Sequence, residues 1–475
     1  MMLTCKSLYN RGPKFLLQHG ASITTEDSLR KLAVFLRVDH YSRCHHLHDL
    51  SVSYLSADTS AFLLDIFSHS SRLRTLWLTA PELLFQTHTD LPATIASLRS
   101  LRSLHIIHAH EFTVELLRTL QSDLVSLSVN FLSEYGDGST FWDTTDPSQW
   151  CDYHPVPLLQ SVASTLVDLH CEVWHSNPGP RYGFTIPTYA QVYPRMRRLT
   201  IERCDYSVCL PFIRGFPGLS YLSVSTDHYD EFKHNGLTDA FREHREANIR
   251  SQRNSTTTWQ HLEEFSGSLI DLYILGLTCH IARLSLIRPN DARHLELLHD
   301  IIQYAGPVEH LKLHWDSSIL LSPEWRLVKL LGEDGASQLS SLSISVALED
   351  AQADTDFLPA LEELTAALER LPIRRLRIQV QHLFCFTPPP ESLLRAGPQD
   401  SSPPPALCAA ELSLEEWDID AWVQRLAHVV PTLEDAVISV SRPRSGEDEL
   451  PFRKATLARN DVRHDGEEIY REFRQ

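Results

Sequence analysis

One short pattern returns along most of the chain: an apolar residue, two free positions, a leucine, one free position and another apolar residue. It reads LHDLSV from Leu47, LRTLWL from Leu73, LRSLHI from Leu101, LVSLSV from Leu124, LVDLHC from Leu166 and MRRLTI from Met196. It continues as LSYLSV from Leu219, IARLSL from Ile281, VEHLKL from Val308, LSSLSI from Leu339, IRRLRI from Ile373 and AAELSL from Ala409. The twelve copies start 23 to 62 residues apart. Successive side chains of a strand point to opposite faces, so Leu104 and Ile106 share one face while Ser103, His105 and Ile107 share the other. The pattern therefore predicts twelve short strands, each with an apolar face and a variable one. Between them, SADTSAFLLDIFSHS, EFTVELLRTLQSD and RHLELLHDIIQYAG carry apolar residues at helical spacing, as in Leu295, Leu298, Ile301 and Ile302.

A strand with one apolar face and a helix with one apolar stripe cannot both be buried alone; stacking the units buries both. The expected fold is thus α/β, a leucine-rich-repeat solenoid or horseshoe with a parallel inner sheet of about twelve strands and outer helices. At about 4.8 Å per strand, the variable positions would line an arc of roughly 50 Å. In an ordinary doubly covered parallel sheet the strands would read as continuous Val, Ile and Leu. Here Arg, Ser, His, Lys, Asp and Glu stand between the leucines.

One continuous solenoid is expected over residues 21–440, with inserts at 133–157, 173–194, 226–258 and 386–408 and a charged cap or tail at 441–475. Residues Asp27 to Arg37 read as a cap helix, with Leu29, Leu32, Ala33 and Leu36 on one face. In the first two inserts, Trp142, Trp150, Tyr153, Trp174 and Tyr182 serve either to pin the loops or to form an aromatic ledge, pinning being favoured. The segment LTDAFREHREANIRSQRN reads as a charged surface helix with Leu237, Phe241 and Ile249 to bury. The Pro- and Ser-rich stretch 386–408 reads as a flexible excursion.

With 43 basic and 61 acidic residues the net charge is −18, which argues against nucleic acid or an anionic membrane as the main partner. No apolar run approaches the roughly 20 residues that span a bilayer. Nine scattered cysteines fit reduced thiols in cytoplasm or nucleus. There is no Gly-rich phosphate loop, HExxH, GxSxG or CxxC pair, so no enzyme activity or cofactor is expected. Cys44, His45, His46 and His48 form one His-rich cluster, and His105, His108 and His110 another. With 25 histidines in the chain such runs arise by chance, and no metal is expected.

The N-terminal run LTCKSLYNRG resembles the closing helix of an F-box, the helical module that docks onto the Skp adaptor of a cullin ubiquitin ligase. In fungal F-box proteins such a run is commonly followed by a leucine-rich solenoid. SLRKLAVFLRVDHYSRCHHLHDLSV and WQHLEEFSGSLIDLYILGLTCHIARLSL are similar in cast to segments of the large basidiomycete family of these proteins. The resemblance implies a subunit that selects targets for ubiquitination. The chain departs from that pattern by starting at Met1 inside the module, so residues 1–20 read as a remnant of the closing helix or an N-cap. A single short helix cannot form the adaptor-docking surface. An Skp-type adaptor is therefore expected only with a fuller F-box upstream, and the alternative is a scaffold without a ligase link. Leu3 and Leu8 belong to that remnant or cap the first repeat.

The variable positions are the candidate protein-binding surface. Trp77, His105 and Tyr221 stand out among the earlier rungs. From His310, Lys312 and His314 to Arg375 and Arg377 the chain is locally basic, against its overall charge. An acidic or phosphorylated protein segment is the expected partner of these rungs, with Trp77 and Tyr221 as apolar anchors elsewhere.

Overall fold

A computed structural model describes residues 6–38, 40–56, 59–132, 141–175, 187–204, 208–226, 232, 235–290, 295–306, 308–316, 320, 327, 331, 336–348, 354–382, 408–441 and 452–458. The chain divides into two compact units, Met1–Leu262 with Ile270–Thr278, and Glu263–Leu269 with Cys279–Gln475.

In the first unit, β1 (Ala21–Ile23), β2 (Asp49–Ser53), β3 (Thr75–Thr79), β4 (Ser103–Ile107), β5 (Ser126–Asn130), β6 (Asp168–Glu172), β7 (Arg198–Cys204) and β8 (Tyr221–Thr226) pair in parallel in chain order. The register sets Leu50, Leu76, Leu104, Leu127, Leu169, Leu199 and Leu222 side by side. None of these leucines is more than 3% exposed, and burying each is worth about 1.5–3 kcal/mol. Helices α1 (Lys6–Leu17), α2 (Glu26–Arg37), α3 (Ser60–His69), α4 (Glu82–Thr87), α5 (Asp90–Ala96) and α6 (Glu111–Thr119) alternate with the early strands. Leu29, Ala33 and Leu36 of α2 are buried, while Leu32 is half-buried. The F-box-like run is helical from Lys6 onward; Leu3 and the Leu8 side chain lie outside the described residues.

The ends of the strands repeat as closely as their middles. Tyr54, Ala80, His108, Val173 and Arg203, each following the last variable position of its rung, all adopt φ between 49° and 61°. A non-glycine residue there costs about 1–2 kcal/mol. Bonds from the turn to the next rung offset this, such as Ala80 N–H to the Ile107 carbonyl at 2.9 Å and Val173 N–H to the Glu202 carbonyl at 2.8 Å.

The second unit holds β9 (His261–Gly267, mostly in this unit), β10 (His280–Asn290), β11 (His310–Asp316), β12 (Ser341–Leu348), β13 (Arg375–His382), β14 (Asp435–Ser441) and β15 (Phe452–Ala458). Strand β9 neighbours β10. Strands β10 to β14 pair in parallel in chain order, with Leu284, Leu311, Leu342, Leu376 and Ala436 in one buried row. Strand β15 closes the edge antiparallel to β14. Both units thus have the expected α/β repeat architecture.

Fifteen strands are described rather than about twelve. Eleven of the twelve repeats are strands; Ala21–Ile23, His261–Gly267, Asp435–Ser441 and Phe452–Ala458 supply the rest. The twelfth repeat, AAELSL, is instead a helix, Ala409–Glu416, so Glu411, Ser413 and Glu415 are not rung positions. Its first turn explains this: the Glu411 carboxylate accepts the Cys408 backbone N–H at 2.8 Å, closing a capping box, and the sequence holds no β-branched residue. The segment LEDAVISV provides the strand at that point instead. Within the charged tail, Phe452–Ala458 is ordered into the sheet, and Arg453 donates to the carbonyls of Leu414, Glu415 and Trp417 beyond and at the end of that helix.

The charged segment expected on the surface forms helix Asp239–Arg253, but it buries a polar face: His244, Arg245, Asn248 and Gln252 as well as Phe241. That face satisfies the carbonyls ending helix Leu269–Leu275. Arg245 donates to Tyr273 O at 2.7 Å, Asn248 to Ile274 O at 3.0 Å, and Gln252 to Leu275 O at 3.3 Å and Gly276 O at 3.0 Å. Gly276 suits the place, since φ is +54° and a Cβ would sit 2.8 Å from Ile249.

Two of the aromatic residues of the first inserts, Trp142 and Trp174, pin their loops. Trp142 and Trp174 are 3% and 2% exposed, and their indoles donate to Val173 O at 2.5 Å and Tyr153 O at 2.7 Å. Tyr182, most of the insert 386–408 and the tail beyond Ala458 lie outside the described residues. No helix among the described residues is long and apolar enough to cross a membrane.

Candidate functional site

In the second unit the register gathers the basic residues. His310, Ser341 and Arg375 stand side by side, as do Lys312, Ser343 and Arg377, and then His314, Ser345 and Gln379. Arg283 on β10 extends the first row beside His310. A row of three serines therefore runs along β12 between longer side chains, with Lys312 on β11 and Arg375 and Arg377 on β13 as the cations and Asp435 of β14 beside Arg375. Lys312 and Arg377 stand two strand spacings apart, about 10 Å between backbones. Burial lowers the Lys312 pKa, Glu264 acting against that shift and Arg377 with it. Burial likewise lowers His310, helped by Arg283 and Arg375 against Glu309, and lowers His314, helped by Lys312. The histidines are thus neutral near pH 7, and the fixed positive charge comes from Arg283, Lys312, Arg375 and Arg377.

The first unit presents a different surface. Trp77, 43% exposed, stacks on His105 with ring centroids 3.6 Å apart and planes 7° from parallel. This follows from register, since Trp77 and His105 are partners on β3 and β4. The His105 Nε2 lies 2.9 Å from Ser103 Oγ, and burial, then His170, lowers the imidazole pKa. Tyr221 carries the Arg198 guanidinium 4.2 Å above its ring, so it meets a cation of its own chain.

Acidic residues gather on β6 and β7, as Asp168, Glu172 and Glu202. Among the described residues His170 Nε2, shut off from water, has no hydrogen-bond partner, and Glu202 Oε1 lies 3.6 Å away at ion-pair distance. Glu202 raises the His170 pKa against burial, with Glu172 and Asp168 adding to it. Asn130 fixes Glu172 through Nδ2 to Oε2 at 2.5 Å, and Ser128 Oγ lies 3.3 Å from His170 Nδ1. Burial raises the Asp168 pKa, with Arg198 and His170 opposing. Donor atoms of His170, Glu172 and Glu202 lie within 4.8 Å of one another, the one such metal-ligand trio among the described residues.

The two His-rich runs of the sequence do not converge. The Cys44 thiol is buried, its pKa pushed up to about 11 chiefly by that burial. His105 lies on the variable face, His108 bonds the Leu132 carbonyl at 3.0 Å, and His110 meets the Phe141 ring edge-on. The trio is hidden in the sequence because its members come from repeats 30 residues apart, starting at Leu166 and Met196. In-register pairing sets Glu172 against Glu202, and applying that register to the repeats would have found them. Comparison with family models and with curated proteins finds no match to the chain.

Proposed function

We propose that the chain is a protein-recognition module whose second unit holds an acidic or phosphorylated protein segment along β12, as a target-selecting subunit resembling those of F-box ubiquitin ligases. The observation carrying this is the row Ser341, Ser343 and Ser345 between Lys312 on β11 and Arg375 and Arg377 on β13. Short hydroxyl side chains leave room above β12 and offer hydrogen-bond donors, while guanidinium forks suit carboxylate and phosphate oxygens. What supports the ligase connection is the N-terminal run LTCKSLYNRG, helical from Lys6 onward.

Fluorescence anisotropy with labelled Asp/Glu-rich and phosphoserine peptides tests the recognition surface. Lys312→Ala, Arg375→Ala and Arg377→Ala combined should weaken capture at least about tenfold, as the loss of several charge-assisted bonds implies. The melting temperature should change little. Equal capture by parent and variant would remove the proposal. Pull-down of an Skp-type adaptor by the chain tests the ligase connection separately; no association favours a leucine-rich-repeat scaffold without that link.

A further inference from the structure

The variable face of the first unit has the opposite charge from that of the second. Its rungs carry Asp49, Asp168, Glu172 and Glu202 against one Arg, Arg198, which already lies over Tyr221. Its largest exposed side chain is Trp77. One face of that indole is covered by His105, and its register partner on the other side is the small Ser51. The imidazole beneath it is held neutral by burial, so it does not place a charge of its own against the ring. An indole face beside a short side chain is a favourable seat for a guanidinium or ammonium.

Three strands along the same row, His170 lies beside Glu172 and Glu202, where negative charge gathers. Three strand spacings are roughly 14 Å. An extended chain advances about 3.3 Å per residue and points alternate side chains the same way, so residues i and i+4 both face the sheet across that span. We infer that the first unit binds an extended basic protein segment laid across β3 to β6, with one Arg or Lys against Trp77 and another, four residues away, beside His170 where the Glu172 and Glu202 carboxylates gather. This surface is independent of the basic rungs of the second unit, and its occupant carries the opposite charge.

The test is panning a displayed random twelve-residue peptide library on the full chain in the presence of EDTA. Basic sequences with two Arg or Lys residues four apart should be enriched. A labelled synthetic peptide made from the leading sequence should lose at least about tenfold in affinity on Trp77→Ala, and similarly on Glu172→Gln with Glu202→Gln. Trp77→Phe should retain part of the binding because it keeps an aromatic face, and this separates a lost contact from a misfolded repeat. The combined Lys312, Arg375 and Arg377 variant should bind the peptide as the parent does, so failure here and failure of the acidic-partner proposal are distinguishable. Enrichment of acidic or uncharged sequences, no enrichment, or equal binding by the Trp77→Ala and glutamine variants would overturn the inference. So would recovery of peptides only when zinc replaces EDTA, which would assign His170, Glu172 and Glu202 to a metal instead.

Discussion

A histidine among carboxylates titrates opposite to one among cations, and the variable faces hold both kinds. Glu202 raises His170, whereas burial with neighbouring arginines or Lys312 lowers His310 and His314. By proton-detected NMR titration, His170 should protonate above the ordinary 6.5 and the other two below it. Glu202→Gln should bring His170 down, because its largest source of upward shift is that carboxylate. The raised His170 contributes stability present in full below the unfolded value near 6.5 and lost as pH rises through its higher folded value. For the lowered pair, stability is lost as pH falls from 6.5 through their folded values. An unmoved His170 titration in Glu202→Gln would show that another group sets it. Residue identities at these positions were legible from the repeat, since alternation alone separates His170 from Leu169. The effect of each neighbour was not, because it depends on which rung lies alongside.

Elements are joined by caps that cross from one repeat to the next. Glu82, at the start of α4, accepts the backbone N–H groups of His110 at 2.7 Å, Phe112 at 3.1 Å and Thr113 at 2.9 Å, and the Thr113 hydroxyl at 2.6 Å. One carboxylate thereby satisfies three of the four free backbone donors at the start of α6, where negative charge is also favoured by the helix dipole. Glu82→Ala should destabilise the chain by about 1–3 kcal/mol, and Glu82→Gln by less because it keeps one acceptor. Urea denaturation measures both; equal midpoints for parent and Glu82→Ala would refute the cap. Strands with Leu flanked by apolar positions were legible, as at Leu76, Leu199 and Leu311. Ala409–Glu416 was not, because a six-residue pattern of small and apolar residues suits a strand or a helix turn equally. The capping box, Cys408 with Glu411, and the lack of a β-branched residue distinguish them. Helix Asp239–Arg253 shows a further limit: apolar periodicity registers Phe241 but not Asn248 and Gln252, which are buried because they bond carbonyls from elsewhere in the chain.

At the scale of the whole molecule, a net charge of −18 acts on every ligand before either face does. Composition alone predicted repulsion of anionic partners, while the local order of rungs predicts capture of an acidic one by Arg283, Lys312, Arg375 and Arg377. The two predictions refer to different distances, and salt separates them. At about 10 mM ionic strength charges are felt over roughly 30 Å, so an approaching acidic peptide senses the whole chain. At about 150 mM the range shortens to roughly 8 Å, and the nearby cations of β10, β11 and β13 dominate. The association rate of an acidic peptide measured by stopped-flow should therefore rise between these salt concentrations, although its dissociation also speeds up as contact ion pairs weaken. A basic peptide binding the first unit should associate more slowly over the same range, since long-range attraction is lost while the local acidic groups remain. If the acidic peptide instead associated steadily more slowly with salt, the local cations would govern its approach at all distances. The surplus acidic residues elsewhere would then have no part in choosing partners.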